Sequence, residues 1–219
     1  MSALPVPEFQ HFLLTRFNVR LTFDLPPEPQ QPVHPGIDAA WLTHRFDLFE
    51  RFCLPSVLGQ TSDRFQWLLF LDAETPDPFR RRMDALAAEH AIHPVYIDQF
   101  SYDLVKAVVL EQVQPGVTHL ITTRMDNDDA ISRSFVETVH AHFLGQEMTF
   151  LNFLYGYSWH KGKIYFHRQR SNPFISLIEK VESARTVFCG DHRELDAIGD
   201  IIQIISPAGW RQVINRPSP

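Results

Sequence analysis

Thr122-Thr123-Arg124-Met125-Asp126-Asn127-Asp128-Asp129 follows a short apolar stretch, Thr118 to Ile121, and puts three carboxylates into four consecutive positions. A strand that empties into an acidic loop has the layout of a cation site. If the segment stays extended, Asp126 and Asp128 stand at i and i+2 and point to one side. Two such carboxylates about 5 Å apart repel by roughly 3 kcal/mol at an effective dielectric of ~20, and by under ~1 kcal/mol in full hydration. Where the pair is partly buried, a divalent cation turns the repulsion into attraction, and oxygen ligands favour Mg²⁺, Mn²⁺ or Ca²⁺ over zinc. Two other readings use the same residues. Asp and Asn cap helices, and Ser132 onward has helical spacing through Ser134, Phe135, Val136, Val139, His140 and Phe143. A calcium loop counted from Asp126 places Asp128 and Glu137 well, but Ala130 and Ile131 stand where it needs an oxygen ligand and a glycine.

Working outward, Phe65 to Leu71 is a near-continuous apolar run ending at Asp72, the pattern of a strand covered on both faces. Pro76 and Pro78 open a helix through Met83, Leu86 and Ala87, a strand spans Ile92 to Ile97, and a helix covers Asp103 to Val113. Nearer the start, Phe12 to Leu14 is apolar and Phe17, Val19, Leu21 and Phe23 alternate as a strand does. The Pro-rich segment Leu25 to Pro35 predicts a loop, and Trp41, Leu42, Phe46, Phe49, Phe52 and Cys53 mark one helical core face with Pro55 near its end. Strands alternating with helices imply parallel pairing and right-handed crossovers, hence an α/β, Rossmann-like sheet flanked by helices. Ligands of such sheets bind beyond the carboxyl ends of the strands. Thr15-Arg16, Asp72 and Asp126 to Asp128 gather at that edge. Neither a dinucleotide glycine fingerprint nor a G-x-x-x-x-G-K-[ST] loop is present, which leaves a metal as the natural way to hold a diphosphate.

The second half changes texture. Met148 to Leu154 and Lys163 to His167 read as strands around the turn His160 to Lys163, and Asn172-Pro173 opens the segment Phe174 to Val181. We divide the chain into an α/β half of nucleotide-binding layout over residues 1–145 and a mixed half of the same domain over 146–219. Tyr155, Tyr157 and Trp159 either line an acceptor sugar pocket or join the core.

Size and composition narrow the function. The chain has 219 residues, 44% hydrophobic and 21% charged, which is ordinary for one large folded domain. Its formal charge of −6 argues against a general nucleic acid binder. Cys53 and Cys189 form no C-x-x-C pair and no disulfide framework. The first residues carry no basic and apolar leader pattern, and no apolar run approaches the ~18 residues of a membrane span, so the expected location is cytoplasmic, with peripheral membrane contact open.

The order of parts resembles a glycosyltransferase of the GT-A type, most closely the bacterial family named putative rhamnosyltransferases. The resemblance rests on Phe12-Leu13-Leu14-Thr15-Arg16-Phe17, on Arg45-Phe46-Asp47-Leu48-Phe49 leading to Pro55-Ser56-Val57 and Gln60-Thr61, on Trp67 to Asp72, and on Thr123 to Asp129. It covers the chain to about residue 155, and it makes Asp126-Asn127-Asp128 the D-x-D motif of that fold. The resemblance implies that Asp128 ligates Mn²⁺ or Mg²⁺ on the donor diphosphate, that Asp126 faces the ribose or the metal, and that Asp72 bonds the nucleotide base. Thr15, Arg16 and Arg124 join the donor site, the arginines through bidentate bonds to phosphate or through salt bridges to neighbouring Asp. From Gly190-Asp191-His192-Arg193-Glu194, Asp191 is the candidate base, with capping of a helix from Arg193 to Ile198 as its alternative. His192 is a candidate for the metal shell. The run Trp210 to Ile214 is followed by Asn215, where a His is typical of the resemblance. The implied activity is transfer of a sugar, with L-rhamnose the candidate, from a nucleoside diphosphate donor to a glycan or glycolipid hydroxyl. The rivals are a non-catalytic nucleotide-sugar-binding or assembly protein and a metal-dependent phosphohydrolase.

Overall fold

The structure, a computed structural model, describes residues 8–20, 37–190 and 195–214. Its larger sheet has seven strands, in space β10-β6-β9-β4-β1-β2-β3. Strands β1 (Phe9–Arg16), β2 (Gln66–Asp72), β3 (Ile92–Ile97) and β4 (His119–Asp126) form its parallel half. The helices α1 (Ala39–Leu48), α2 (Leu54–Leu58), α3 (Asp77–Glu89) and α4 (Tyr102–Glu111) connect them. The strand order 3-2-1-4 reverses direction between β1 and β4, the switch point at which such sheets open a ligand crevice.

The central strands are apolar without alternation because both of their faces are covered. In β2, Trp67 to Asp72 are all buried, and in β1 His11 to Thr15 are too. Trp67, Leu69 and Leu71 pack under α1 and α3, while Leu68 and Phe70 pack on the opposite side with Phe100 and Val105. This placement corrects the first strand. It is Phe9–Arg16, whereas Phe17 to Arg20 leave the sheet and Leu21 and Phe23 lie outside the described residues. Double-sided burial selects a continuous run over an alternating one.

Local signals place the helices. Asp38 accepts the Trp41 N–H at 2.8 Å to start α1, and Ser101 accepts the Leu104 N–H at 3.2 Å to start α4. Pro55 does not end the first helical stretch. A widened π-helical turn, Phe49–Cys53, lets Leu54 N–H reach back to Phe49 C=O, and the chain passes through Pro55 into α2.

Beyond β4 come β5 (Ala130–Ile131), the short α5 (Phe135–Ala141) and β6 (Met148–Phe153). These are followed by β7 (Tyr155–His160), β8 (Lys163–Arg168), β9 (Ser176–Lys180), β10 (Asp200–Ile204) and β11 (Trp210–Val213). β9 runs antiparallel between β4 and β6, and β10 pairs parallel to β6, so the sheet becomes mixed here. A second, four-stranded sheet, β5-β11-β7-β8, sits beside the acidic loop. Tyr155 to His160 thus form a strand that the sequence pattern does not announce, because aromatic and small residues mix along it. Leu195–Ala197 makes one 3-10 turn in place of the helix expected up to Ile198.

Candidate functional site

Arg16 and Asp126 are the last residues of β1 and β4 and are register partners across the switch point. Parallel register puts both side chains on one face, and Arg16 Nη2 donates to Asp126 Oδ1 at 3.1 Å. Arg124, two residues back on β4 and so on the same face, brings its Nη2 within 3.6 Å of Asp126 Oδ2. Phe188 lies under both guanidiniums, 5.6 Å from Arg16 and 5.7 Å from Arg124, so the two cations share one aromatic ring. The chain reaches Phe188 through a turn fixed by the buried Glu179 carboxylate, which accepts the N–H groups of Arg185 and Thr186 at 2.7 and 2.8 Å.

The other side of the acidic loop faces α1. Arg45 Nη1 donates to Asp128 Oδ2 at 2.5 Å and to Asn127 Oδ1 at 3.4 Å, and its guanidinium lies 5.0 Å from the Trp41 ring. Trp41, His44, Arg45 and Leu48 recur at three and four and form one wall of a cleft of about 700 Å³. Asp126, Asp128 and Asp129 form its floor, and Gln212, Val213 and Ile214 of the β11 end form the opposite wall.

Two loop residues hold the floor in place. Asn127 Nδ2 donates to Phe17 C=O at 2.8 Å, tying the loop to the end of β1. Asp129 Oδ1 accepts Val213 N–H at 2.8 Å, tying it to β11. Both side chains are buried. The segment is therefore not extended through Asp128. β4 ends at Asp126 and the chain turns, with Asp129 N–H returning to Asp126 C=O at 3.4 Å. Asp126 and Asp128 still share the cleft, but each meets its own arginine.

The electrostatics separate the three acids. Burial pushes the Asp126 carboxyl up, but Arg124 and Arg16, with Arg45 behind them, outweigh it and hold the group below the ordinary range. Burial wins at Asp128, which stands above its ordinary value despite Arg45, with Asp126 adding to the rise. Asp129 is pushed well above the ordinary range, by burial first and by Asp128 second. A negative charge is most stable at the arginine-flanked Asp126.

The remaining candidates fall elsewhere. Thr15 is turned into the core, where its hydroxyl accepts the Trp67 indole N–H at 2.9 Å, so it serves the sheet and not the cleft. Asp72 is fully buried at the end of β2; its carboxylate accepts from Arg20 Nε at 2.8 Å and from Glu74 N–H at 2.7 Å. Asp191, His192 and Asn215 lie outside the described residues. Tyr155 and Tyr157 do not line the cleft, and Trp159 packs on Phe52 at 5.6 Å. The sequence reading gives Arg45 no role in the site. The signal was present in the spacing of Trp41, His44, Arg45 and Leu48, which runs beside the core stripe of Leu42, Phe46 and Phe49.

Comparison with known proteins bears on this geometry. A family model described as "putative rhamnosyl transferase" matches residues 10–216, nearly the whole chain. The chain belongs to that family. The rhamnosyl transferase match spans β1, the acidic loop and both sheets, so every residue of the cleft lies within it. The fold is of the GT-A type. Among solved structures, it resembles S. aureus TarS 1-349 in complex with UDP at TM-score 0.51 and 9% identity, covering 95% of this chain and 61% of that one. It resembles S. aureus TarS 1-349 without a named ligand at TM-score 0.51 and 9% identity, with 93% and 60% covered. This chain therefore spans about three-fifths of those TarS chains. Among curated proteins none matches the sequence.

Proposed function

We propose that this member of the rhamnosyl transferase family transfers a sugar, L-rhamnose by the family description, from a nucleoside diphosphate donor to a hydroxyl of a glycan or glycolipid. The observation that carries the reading is the meeting of Arg16, Arg124 and Asp126 at the switch point of the parallel half, with Arg45 and Asp128 across the same cleft. A nucleoside diphosphate gathers negative charge as it leaves the sugar, and guanidiniums already oriented by Phe188 and Trp41 stabilise it without reorganising. Arg16 Nε is buried with no hydrogen-bond partner, a donor left for an anion. The TarS structure with UDP shows this fold type holding a nucleoside diphosphate, at an identity that supports fold alone.

A divalent cation fits the site in one way. Among the described residues, no group of three or more His, Cys, Asp and Glu converges on a point, so the protein does not supply a full cage. Two cleft carboxylates suit Mn²⁺ or Mg²⁺ that completes its shell with phosphate oxygens and water. Asp128 would hold it with Asp126 beside, and the bound cation would neutralise charge on the departing diphosphate. The proton of the acceptor hydroxyl needs a base. We assign it to Asp191, which the chain reaches three residues after Phe188, the ring under Arg16 and Arg124.

The test is calorimetry of the full chain with UDP, dTDP and GDP, each with Mn²⁺ and after chelation. Binding of one diphosphate, strengthened by the cation and lost in Asp128→Ala, is the expected result. Affinity that Asp128→Ala leaves unchanged would sink the cation assignment, and absence of binding to all three would sink the donor assignment. Release of phosphate from the nucleotide, rather than sugar transfer, would support the phosphohydrolase instead.

A further inference from the structure

The hairpin of β7 and β8 carries a feature that the cleft does not use. β8 is the outer strand of the second sheet, and no described strand pairs with its free edge. Ile164, Tyr165 and Phe166 on it are 65%, 46% and 60% exposed. Successive side chains of a strand point to opposite sides, so large apolar groups face solvent on both sides of one edge. On one side Phe166 lies against the exposed Tyr157, 5.5 Å between ring centroids, which widens the patch. A contiguous exposed apolar patch of this kind marks an interaction surface.

The charge along this segment of the chain is one-sided. From Met148 to Ile178 the chain contains no Asp or Glu but carries Lys161, Lys163, Arg168 and Arg170, within a protein of formal charge −6. Lys161 and Gly162 make the turn, with φ of 50° and 78°. The hairpin tip is therefore cationic, and Arg168 repeats the charge at the other end of β8.

Three occupants compete for this surface, and the observations favour one. Antiparallel pairing of β8 with β8 of a second copy, centred on Tyr165 and Phe166, sets Lys163 opposite Arg168, and like charges directly opposite disfavour a pair. A sugar chain stacks on one aromatic face and leaves the apolar surface on the other side of the strand unaccounted for. An anionic bilayer accepts both sides of an edge strand into its headgroup layer, and its phosphates meet the flanking cations.

We propose that the β7–β8 hairpin docks the protein on an anionic lipid bilayer, with Ile164, Tyr165 and Phe166 entering the interfacial layer and Lys163 and Arg168 facing lipid phosphates. Trp159 C=O, next to the tip, accepts the N–H of Ile214, which lines the cleft, at 2.9 Å. Docking thus brings one rim of the cleft to the membrane surface. The inference is independent of the transferase reading.

Flotation of the full chain with phosphatidylcholine vesicles, with and without phosphatidylglycerol, tests it. The protein is expected to float only with the anionic lipid and to be released by high salt. Lys163→Gln with Arg168→Gln should weaken partitioning by roughly five-fold per cation removed. Phe166→Ser and, separately, Tyr165→Ser on the other side of the strand should each weaken it at unchanged charge, and circular dichroism checks that both fold. No flotation on anionic vesicles, or flotation on both lipids that no variant alters, overturns the proposal. A concentration-dependent dimer that Phe166→Ser abolishes, with no flotation, assigns the face to a second copy.

Discussion

Arg45 and Asp128 are joined by a 2.5 Å hydrogen bond between elements 83 residues apart in sequence, with the Arg45 guanidinium seated against Trp41. The bond spans the cleft from α1 to the acidic loop. It pairs the cleft carboxylate that neither Arg16 nor Arg124 meets, and it sets a third cation in the cleft wall.

From this follows the effect of Arg45→Ala. A hydrogen bond to a charged group is worth about 1.5–3 kcal/mol, so affinity for the nucleoside diphosphate in chelator should fall by roughly ten-fold or more. Calorimetry without metal reads it, and an unchanged constant would remove Arg45 from the donor site.

Asp129 separates geometry from charge. Its carboxyl is pushed well above the ordinary range by burial and Asp128, and it accepts the Val213 N–H. Asp129→Asn keeps an acceptor oxygen and discards a buried charge, so stability should hold or rise. Asp129→Ala strands the Val213 donor and should cost about 1–3 kcal/mol. Urea unfolding of the two variants checks the pair, and equal losses would contradict the assignment.

Gly156 is fixed by packing. A Cβ there would stand 2.1 Å from Trp210 Cδ2 across the β7–β11 pair. Gly156→Ala should overpack the second sheet by about 1–3 kcal/mol, with a melting temperature lower by about 2–4 °C per kcal/mol. Because β11 ends in the cleft wall, diphosphate affinity should weaken as well.

Acid should destabilise the fold through a pair of histidines, His11 buried and His140 half-buried. His11 Nδ1 and His140 Nε2 are 2.9 Å apart, and His11 Nε2 meets Thr123 Oγ1 at 2.8 Å. Burial, followed by His140, lowers the His11 imidazole well below its ordinary value, and burial with Arg64 lowers His140 to about 4. Both rings fold neutral while the unfolded chain takes up protons near 6.5. Stability from this pair is complete above 6.5 and is lost as pH falls from there toward about 4. Denaturant midpoints across that range should drop less in His140→Gln than in the parent.

The parallel half was legible in the sequence because its signals are local. The runs at Phe65 to Leu71 and Ile92 to Ile97 became β2 and β3, and Pro76 and Pro78 opened α3 as read. The signal failed where burial overrides alternation, at Phe17 to Arg20, and where aromatic and small residues mix, at Tyr155 to His160. In the site, Asp126 and Asp128 were legible as a pair in one cleft. Thr15 was not, since a hydroxyl at a strand end gives no sign of whether it faces a ligand or a tryptophan such as Trp67.

The sequence by itself determined a strand-helix alternation that must pair in parallel, and an acidic loop at the carboxyl edge of that sheet, because both follow from periodicity and from the order of segments. Only the tertiary structure decided which cations answer the acids. Arg16 and Arg45 come from β1 and α1, and they meet Asp126 and Asp128 at the end of β4 because crossovers bring distant segments to one switch point. Charge pairing over that separation depends on register and burial, which no local pattern records.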